Sequence, residues 1–558
     1  MDRISELPES IIHHILSFCS VDGDLVRMSV LSKTWFHLTA SFPVLNFYMG
    51  DFEFRSRESF FKYIEYTTSR FCHQNLTADS LVLSLTLQEP EELYIFNKCL
   101  ELVLQKGVEA LHINLLDSPN VPKYRLPNTL LSVSMLIDLT LIDCELPSSL
   151  MVDTIKFKSL MFLELNRVRI DDEMITYLTT SCPLLQVFHI DECHGFKRFC
   201  VYGHQNLQEV IIAYRAPVEK IDIEAPNLTK IEVADYVGRK PPQMSLASCK
   251  KLTSVSYNGY SNGFPDFLSN FPFVENLALV STSKSNNLKL SSHSLRALWF
   301  CSFCDLDKIE LSTPNLGLFI YSCDDWYIYS YNAWYIYSVI KHLPHLKACM
   351  RCYANASIDA RWFQKLRLFL DKKNGFKALN LYIYTDEKLI VLEKTKEIEL
   401  PPYELEHIEL HFENRESSDH AAFVDAVLCC FRPRSLTLRS SFSLTDFEEQ
   451  SALVKFTYEK LLEQEFQGHT NIQIVSPYSS KAQKQFKGLM SLPTPLPRQE
   501  KAISFIKEEE FRERERLEEL GDRAGEVSGF DTVDAPHMAL RRRHDRRVRR
   551  TWWWGYFG

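Results

Sequence analysis

The residues best equipped for chemistry lie late in the chain, where His407, Glu409 and His411 alternate with Ile408 and Leu410. Alternation puts every second side chain of a strand on one face, so the two imidazoles and the carboxylate share a side. Donors of these types ligate divalent metals, but a polar strand face with its apolar partners turned inward has the same pattern. Two Cys-x-x-Cys pairs, Cys301 with Cys304 and Cys349 with Cys352, have zinc-ligand spacing. They fall on predicted strands and strand ends of non-adjacent repeats, which argues against one shared ion. A cysteine that carries an acyl group needs an activating base beside it, and no thiol here acquires one from its sequence neighbours. The sequence has no Gly-x-x-x-x-Gly-Lys-Ser/Thr loop, no Gly-x-Ser-x-Gly elbow and no His-Glu-x-x-His pair. It reads as a binding protein with no catalytic residues, no metal and no cofactor.

The elements that would position these residues come from a repeated unit: an apolar residue, two others, an apolar residue, one other, an apolar residue. Copies are Val108-Leu111-Ile113, Leu136-Leu139-Leu141, Leu160-Leu163-Leu165, Leu185-Phe188-Ile190, Leu207-Val210-Ile212 and Leu228-Ile231-Val233. The series continues through Leu252-Val255-Tyr257, Val274-Leu277-Leu279, Leu295-Leu298-Phe300 and Leu316-Phe319-Tyr321. Weaker copies follow at Leu346, Phe376-Leu379-Leu381, Leu405-Ile408-Leu410 and Leu436 with Leu438. From Leu136 to Leu316 the starts recur every 21 to 25 residues, the period of leucine-rich repeats. One short strand cannot bury its apolar face alone, whereas stacked copies share a continuous core, so the pattern predicts a solenoid. Cys144 and Cys193 occupy the position where such repeats place Asn or Cys, which makes them structural.

Between strands, Asp172 to Leu178 reads as a helix, while Pro241-Pro242 cannot lie inside one. The aromatic run from Trp326 to Tyr337 reads either as a packed convex segment or as an exposed recognition ridge. Residues flanking the inward apolar positions should face the concave side, where solenoids bind partners. That surface comprises Glu164, Asn166, His189, Asp191, Glu209, Lys230, Glu232, Trp299, His407, Glu409, His411 and Arg439, with Trp299 as the natural energetic anchor.

A formal net charge of -9 over 558 residues gives no general attraction to nucleic acid or to anionic membranes. No basic leader and no uninterrupted apolar run of membrane-spanning length occurs. Fifteen cysteines in irregular spacing fit reduced thiols, hence cytoplasm or nucleus.

The N-terminus departs from the repeat pattern. Pro8 presets a first helical position and Glu9 suits the positive end of a helix dipole, while Ile11, Ile12, Ile15 and Leu16 recur at helical spacing. Leu25, Met28, Val30 and Leu31 suggest a second helix, and Ser32 is a good N-cap for a third that carries Trp35 and Leu38. So small a unit cannot bury all its apolar side chains. On pattern alone it is either a cap on the repeats or a docking surface.

Leu7, Pro8, Ile11, Ile15, Leu16, Ser29, Val30, Leu31, Ser32, Lys33 and Trp35 together resemble the plant F-box. The pattern departs at Cys19, where leucine is usual, and at Thr34, where arginine is common. Ala225-Pro226-Asn227-Leu228 and Thr313-Pro314-Asn315-Leu316 resemble the repeat openings of plant F-box proteins with leucine-rich repeats. The resemblance implies an α/β architecture, a three-helix F-box over 1–45 and a leucine-rich-repeat solenoid over 80–440. By residue pattern and composition, a linker and first helical segment over 46–79 would join them, with a capping segment over 441–492 and a charged tail over 493–558 that reads as disordered or, from its basic run, as a nuclear address or nucleic-acid patch. That tail carries Arg541 to Arg550 and Trp552-Trp553-Trp554.

The implied function is that of the substrate receptor of a Skp-cullin-F-box ubiquitin ligase. The Skp-type adaptor, and a cullin through it, would dock on Leu7, Pro8, Ile11, Ile15, Leu16, Val30, Leu31, Ser32 and Trp35. A protein substrate would lie on the concave face. A protein-binding scaffold outside the ubiquitin system and a small-molecule co-receptor are the alternative readings.

Overall fold

The computed structural model describes residues 7–18, 22–49, 56–74, 77–115, 123–152, 157–236, 242–259, 273–281, 288–302, 306–322, 349–354, 360–371, 376–383, 401–412, 418–440, 453, 455–457, 459–460, 470–476 and 501–507. Two compact units emerge, one built on Met1–Val237 with Pro242–Leu252, the other on Thr253–Phe530.

The first unit opens with three short helices, α1 (Glu9–Leu16), α2 (Asp22–Ser29) and α3 (Lys33–Ala40). Pro8 stands one position earlier than the sequence predicts, as the N-cap of α1, where its carbonyl accepts from the amides of Ile11 and Ile12. Ser32 caps α3 as expected: its hydroxyl accepts from the Trp35 amide at 3.1 Å. Ile12, Leu16, Trp35 and Phe42 form the core of the helical unit, flanked by Leu25, Met28, Leu38 and Val44. Arg70 ties these helices to the next, donating to Thr39 at 3.1 Å with its guanidinium 4.4 Å from the Phe36 ring centroid.

The stretch read as a linker and first helical segment holds a helix, and a strand stands at its start. Strand β1 (Val44–Tyr48) pairs in parallel with β2 (Ala78–Leu85), so the sheet begins at Val44 and not near residue 80. Between them α4 (Arg57–Cys72) buries Phe60, Phe61, Ile64 and Phe71. Next, α5 (Pro90–Lys106) buries Phe96, Leu100 and Val103, with Pro90 at its start where a missing N–H costs nothing. Arg57 donates from Nε and Nη2 to both carboxylate oxygens of Glu92, at 2.8 and 2.7 Å, and so clamps α4 to α5. Burial opposes the Glu92 charge, but Arg57 and the Gln88 and Glu89 amides outweigh it and hold the carboxyl below its ordinary range. Gly107 ends α5 at φ 97°, and a Cβ there would meet Met135 Sδ at 2.7 Å.

The parallel ladder continues through β3 (Val108–Leu115), β4 (Asp138–Ile142), β5 (Phe162–Asn166) and β6 (Val187–Asp191). It passes over α6 (Asp172–Ser181), which Asp171 caps, and the short β7 (Arg198–Val201) to β8 (Glu209–Tyr214). Then, past β9 (Lys220–Ile223), comes β10 (Lys230–Asp235). Strands β7, β9 and β11 (Gln243–Ser245) form a second parallel layer, so the outer element changes from helix to strand as the Pro241-Pro242 pair requires. Every inward residue of the repeats named for this unit is buried. After β4, β5 and β6 the chain turns through positive φ at Asp143, Arg167 and Glu192. This aims Cys144, Val168 and Cys193 into the core, where Cys193 Sγ donates to the Leu165 carbonyl at 3.3 Å.

In the second unit the same register links β12 (Ser254–Gly259) and β13 (Asn276–Ser281). Strand β14 (Leu288–Ser291) leaves that ladder and joins β15 (Ala297–Ser302) only through the chain, pairing instead with β16 (Ile309–Ser312) as an outer layer. The ladder itself runs from β13 to β15, β17 (Leu318–Ser322) and β18 (Cys349–Ala354). Past α7 (Ala360–Asp371) come β19 (Ala378–Ile383), β20 (Tyr403–Phe412) and, after α8 (Ser418–Cys430), β21 (Phe431–Ser440). Phe319 packs at 5.6 Å from Phe369 and 6.0 Å from Phe376, joining the sheet to α7.

The ladder does not stop at 440: β22 (Thr470–Ser476) pairs with β21 and β23 (Lys501–Lys507) with β22. The second of these falls in the stretch expected to be disordered, and the first in the expected cap. The copy at Leu346, Cys19, Cys304, the aromatic run from Trp326 to Tyr337 and the chain after Lys507 lie outside the described residues.

Candidate functional site

Two surfaces of the first unit have unlike chemistry. On α1, Ile12 and Leu16 point inward, which turns Ile11 and Ile15 outward along with Leu7. Phe18, Val30 and Leu31 are more open still, at 74%, 79% and 68% exposure. A three-helix core of four large side chains has no room for them, and clustered exposed apolar residues mark an interaction site. Of the nine residues expected to contact an adaptor, Leu7, Ile11, Ile15, Val30 and Leu31 are therefore presented to solvent. Pro8 and Ser32 are also exposed but act as helix caps. Leu16 and Trp35 require correction: at 1% and 7% exposure they are core, because Trp35 closes the space between α1 and α3. Phe18 was missed, although its place seven residues after Ile11 continues the outer stripe of α1.

The polar face of the sheet is the second surface. The parallel register aligns Glu164, His189, Ile211 and Glu232 across β5, β6, β8 and β10, and sets Asn166 beside Asp191 and Glu209 beside Lys230. Neighbouring strands are about 4.8 Å apart, so these groups interact. Lys230 Nζ donates to Glu209 at 2.9 Å and His189 Nε2 stands 3.5 Å from the same carboxylate. Burial opposes the Glu209 charge, but His189 and Lys230 prevail and hold its pKa far below the usual range. Asn166 Nδ2 donates to Asp191 Oδ2 at 3.0 Å, and His112 lies 3.6 Å from Asp138.

The other carboxyls move the opposite way. Burial, then the charges of Glu192 and Glu164, push Asp191 up to about 6. Burial raises Glu164 against the pull of His189, and raises Glu232 against Lys230 and His189. Asp138 is driven well above its ordinary value by burial and Glu164.

The open charged surface read from the sequence is thus corrected. His189, Lys230 and Glu232 are buried, and Glu164, Asp191 and Glu209 are half-buried in one connected row. In the second unit Trp299 is fully buried between its register partners Ala278 and Ile320, themselves buried, so it is no exposed anchor. His407, Glu409 and His411 do share one face of β20, but as an ion-pair cluster: Glu409 Oε1 lies 2.7 Å from His411 Nε2 and 3.7 Å from Arg439, and Asn380 donates to Glu409 Oε2 at 3.0 Å. Burial is outweighed there by His411 and Arg439, and the Glu409 pKa falls to about 2. No group of three or more His, Cys, Asp or Glu among the described residues is arranged to hold a metal. Burial pushes the Cys144, Cys182 and Cys193 thiols up to about 12, the opposite of an activated nucleophile.

A parallel repeat sheet preceded by a small helical unit with an apolar outer stripe defines an α/β leucine-rich-repeat protein with an N-terminal helical unit, and comparison with known proteins supports that class. The repeat family described as "FBD-associated F-box protein At5g56370, LRR repeats" matches residues 96–267. F-box/LRR-repeat protein 25 of Arabidopsis thaliana is 26% identical over 238 residues, 42% of this chain and 86% of that one. F-box/FBD/LRR-repeat protein At1g78750 of the same plant is 27% identical over 312 residues, 51% of this chain and 66% of its own length. F-box/LRR-repeat protein At3g58980, also from Arabidopsis thaliana, is 25% identical over 334 residues, 53% and 52% of the two chains. The match thus spans less than two thirds of the latter two relatives. The chain is similar to plant F-box/leucine-rich-repeat proteins in sequence, and its repeats and N-terminal helices agree with that likeness.

Proposed function

We propose that the protein is the substrate-recognition subunit of a Skp-cullin-F-box ubiquitin ligase. The observation that carries this reading is the exposed apolar stripe of Ile11, Ile15, Phe18, Val30 and Leu31 on a helical unit whose own core is already filled. Docked on a Skp-type adaptor, that stripe leaves water at about 25 cal/mol per Å² of apolar surface. The repeats then hold a protein substrate near the charged conjugating enzyme, and the gain is effective concentration, with no chemistry by this chain. The names of the relatives support an F-box role, and the high thiol pKa values agree with a non-catalytic one.

Co-purification of the full chain with a Skp-type adaptor and a cullin tests the reading. Recovery of both with the native chain, and of neither with Val30→Asp/Leu31→Asp, is expected. Unchanged recovery with that double variant would refute the docking surface.

A further inference from the structure

The polar face of the first unit has more acid than its own bases can match. Lys230 donates to Glu209 and draws on Glu232 as well, His112 and His189 stand beside Asp138 and Glu209, and Arg167, which pairs with Asp143, acts on Asp191 through its charge. Asp191 and Glu164 stand half-buried in the row. Asn166, beside Asp191, and Glu232 are buried, Glu232 to 3% exposure, and Asn166 Oδ1, Asp191 Oδ1 and Glu232 Oε2 have no hydrogen-bond partner. A buried acceptor left unpaired costs on the order of 1–3 kcal/mol, more for a charged group. Three such acceptors, two on the adjoining strands β5 and β6 and one on β10 beyond β8, all of them oxygens, ask for donors, and the excess of carboxylates asks for donors that are cations. An apolar ligand would leave them unpaired and an anion would be repelled.

Guanidinium has the matching form: a planar cation whose N–H groups reach two oxygens at once, on a stem long enough to pass the rim. An ammonium supplies the charge with a rounder donor set. We propose that this face of the first unit docks a partner segment bearing arginine or lysine side chains, with Asp191 and Asn166 receiving one cationic head, Glu232 a second, and Glu164 adding its negative charge. The register fixes the direction of reading, because Glu232 on β10 and Asp191 on β6 are two strands apart and so suit two separate cationic side chains of one extended segment. The inference rests on the sheet face being the substrate surface and adds the class of substrate: a protein with an exposed basic stretch.

Fluorescence anisotropy on the full chain tests it, at neutral pH and low salt, with a labelled peptide of arginines spaced by glycine and serine. Its citrulline counterpart keeps the shape and loses the charge. Arginine-peptide binding that weakens by roughly tenfold in Glu232→Gln and again in Asp191→Asn, about the worth of one charge-assisted hydrogen bond each, is expected. Glu310→Gln, which removes an exposed carboxylate of the second unit paired with Lys289, should leave binding unchanged. Thermal melts confirm that the isosteric variants are folded.

Equal binding of the citrulline peptide, or native affinity in the folded Glu232→Gln/Asp191→Asn double variant, overturns the site. Tighter binding after the seven arginines between 541 and 550 are changed to glutamine supports it and marks that run as a competitor. Adaptor binding measured on the same preparation separates the two claims. Loss of adaptor with retained peptide sinks the ligase reading alone, and the converse sinks the basic-segment site alone.

Discussion

The N-terminal helices and the polar sheet face of the first unit break the usual rule of burial in opposite senses. The helices expose Val30, Leu31 and Phe18, large apolar groups that a soluble surface does not need, while the sheet buries Lys230, Glu232 and His189, ionisable groups that a core does not need. On the proposed reading each departure serves a partner, but in different form. The helical stripe gains by leaving water and discriminates little by itself. The sheet row is already desolvated and fixed by Lys230 and Asn166, so on the proposed reading it would select a partner by complementary charge.

That contrast can be broken by substitution, and the largest effect should come from the buried ion pair. Glu209→Ala leaves Lys230 and His189 without their carboxylate, and removing one partner of a buried pair costs roughly 3–5 kcal/mol. Thermal unfolding should show the first unit as the part that melts early. Leu16→Ala should cost about 3 kcal/mol through a cavity in the small helical core, whereas Val30→Ala, one turn of sequence away from any core role, should stay within about 0.5 kcal/mol. Equal melting shifts for the two would mean that inward and outward residues have been assigned wrongly.

The effect of pH is of intermediate size and has a definite sign. Asp191 has a folded pKa of about 6, above its unfolded value near 4. Between these limits the native state holds a proton that the unfolded chain has lost, so this group's contribution falls as pH rises from about 4 to about 6 and stays low above that. Asp191→Asn should therefore raise stability at pH 7 by about 1–2 kcal/mol after discounting for its partial exposure, and change little near pH 4. An equal gain at both pH values would point to a cause other than ionisation. A smaller loss belongs to Ser32→Ala, which removes the cap of α3 at about 1 kcal/mol and should loosen the helical unit without touching the sheet.

Much of the fold was legible because its signal repeats. Leu163, Phe188, Val210 and Ile231 are each unremarkable, but their spacing names the inward row, and the register brings them side by side. Strand β1 was not legible, since five residues between helical segments carry no period of their own. Strands β22 and β23 escaped for a related reason: they follow irregular spacers and end a series already weakening after Leu346. In the helical unit the sequence marked the apolar residues but not which stripe turns inward, because both Ile12-Leu16 and Ile11-Ile15 keep helical spacing. Only the closing of α3 through Trp35 selects between them. On the sheet, alternation told which side His189 and Glu232 share. It could not tell that parallel neighbours would close over them and turn a charged surface into a buried row.

Calorimetric titration of the full chain with a purified Skp-type adaptor examines the exposed stripe most directly. The account predicts one-to-one binding with a negative heat-capacity change, the mark of buried apolar surface. It should be abolished by Val30→Asp/Leu31→Asp and kept by Glu232→Gln. Binding of native strength by the folded double variant, or no binding by the native chain, would contradict it.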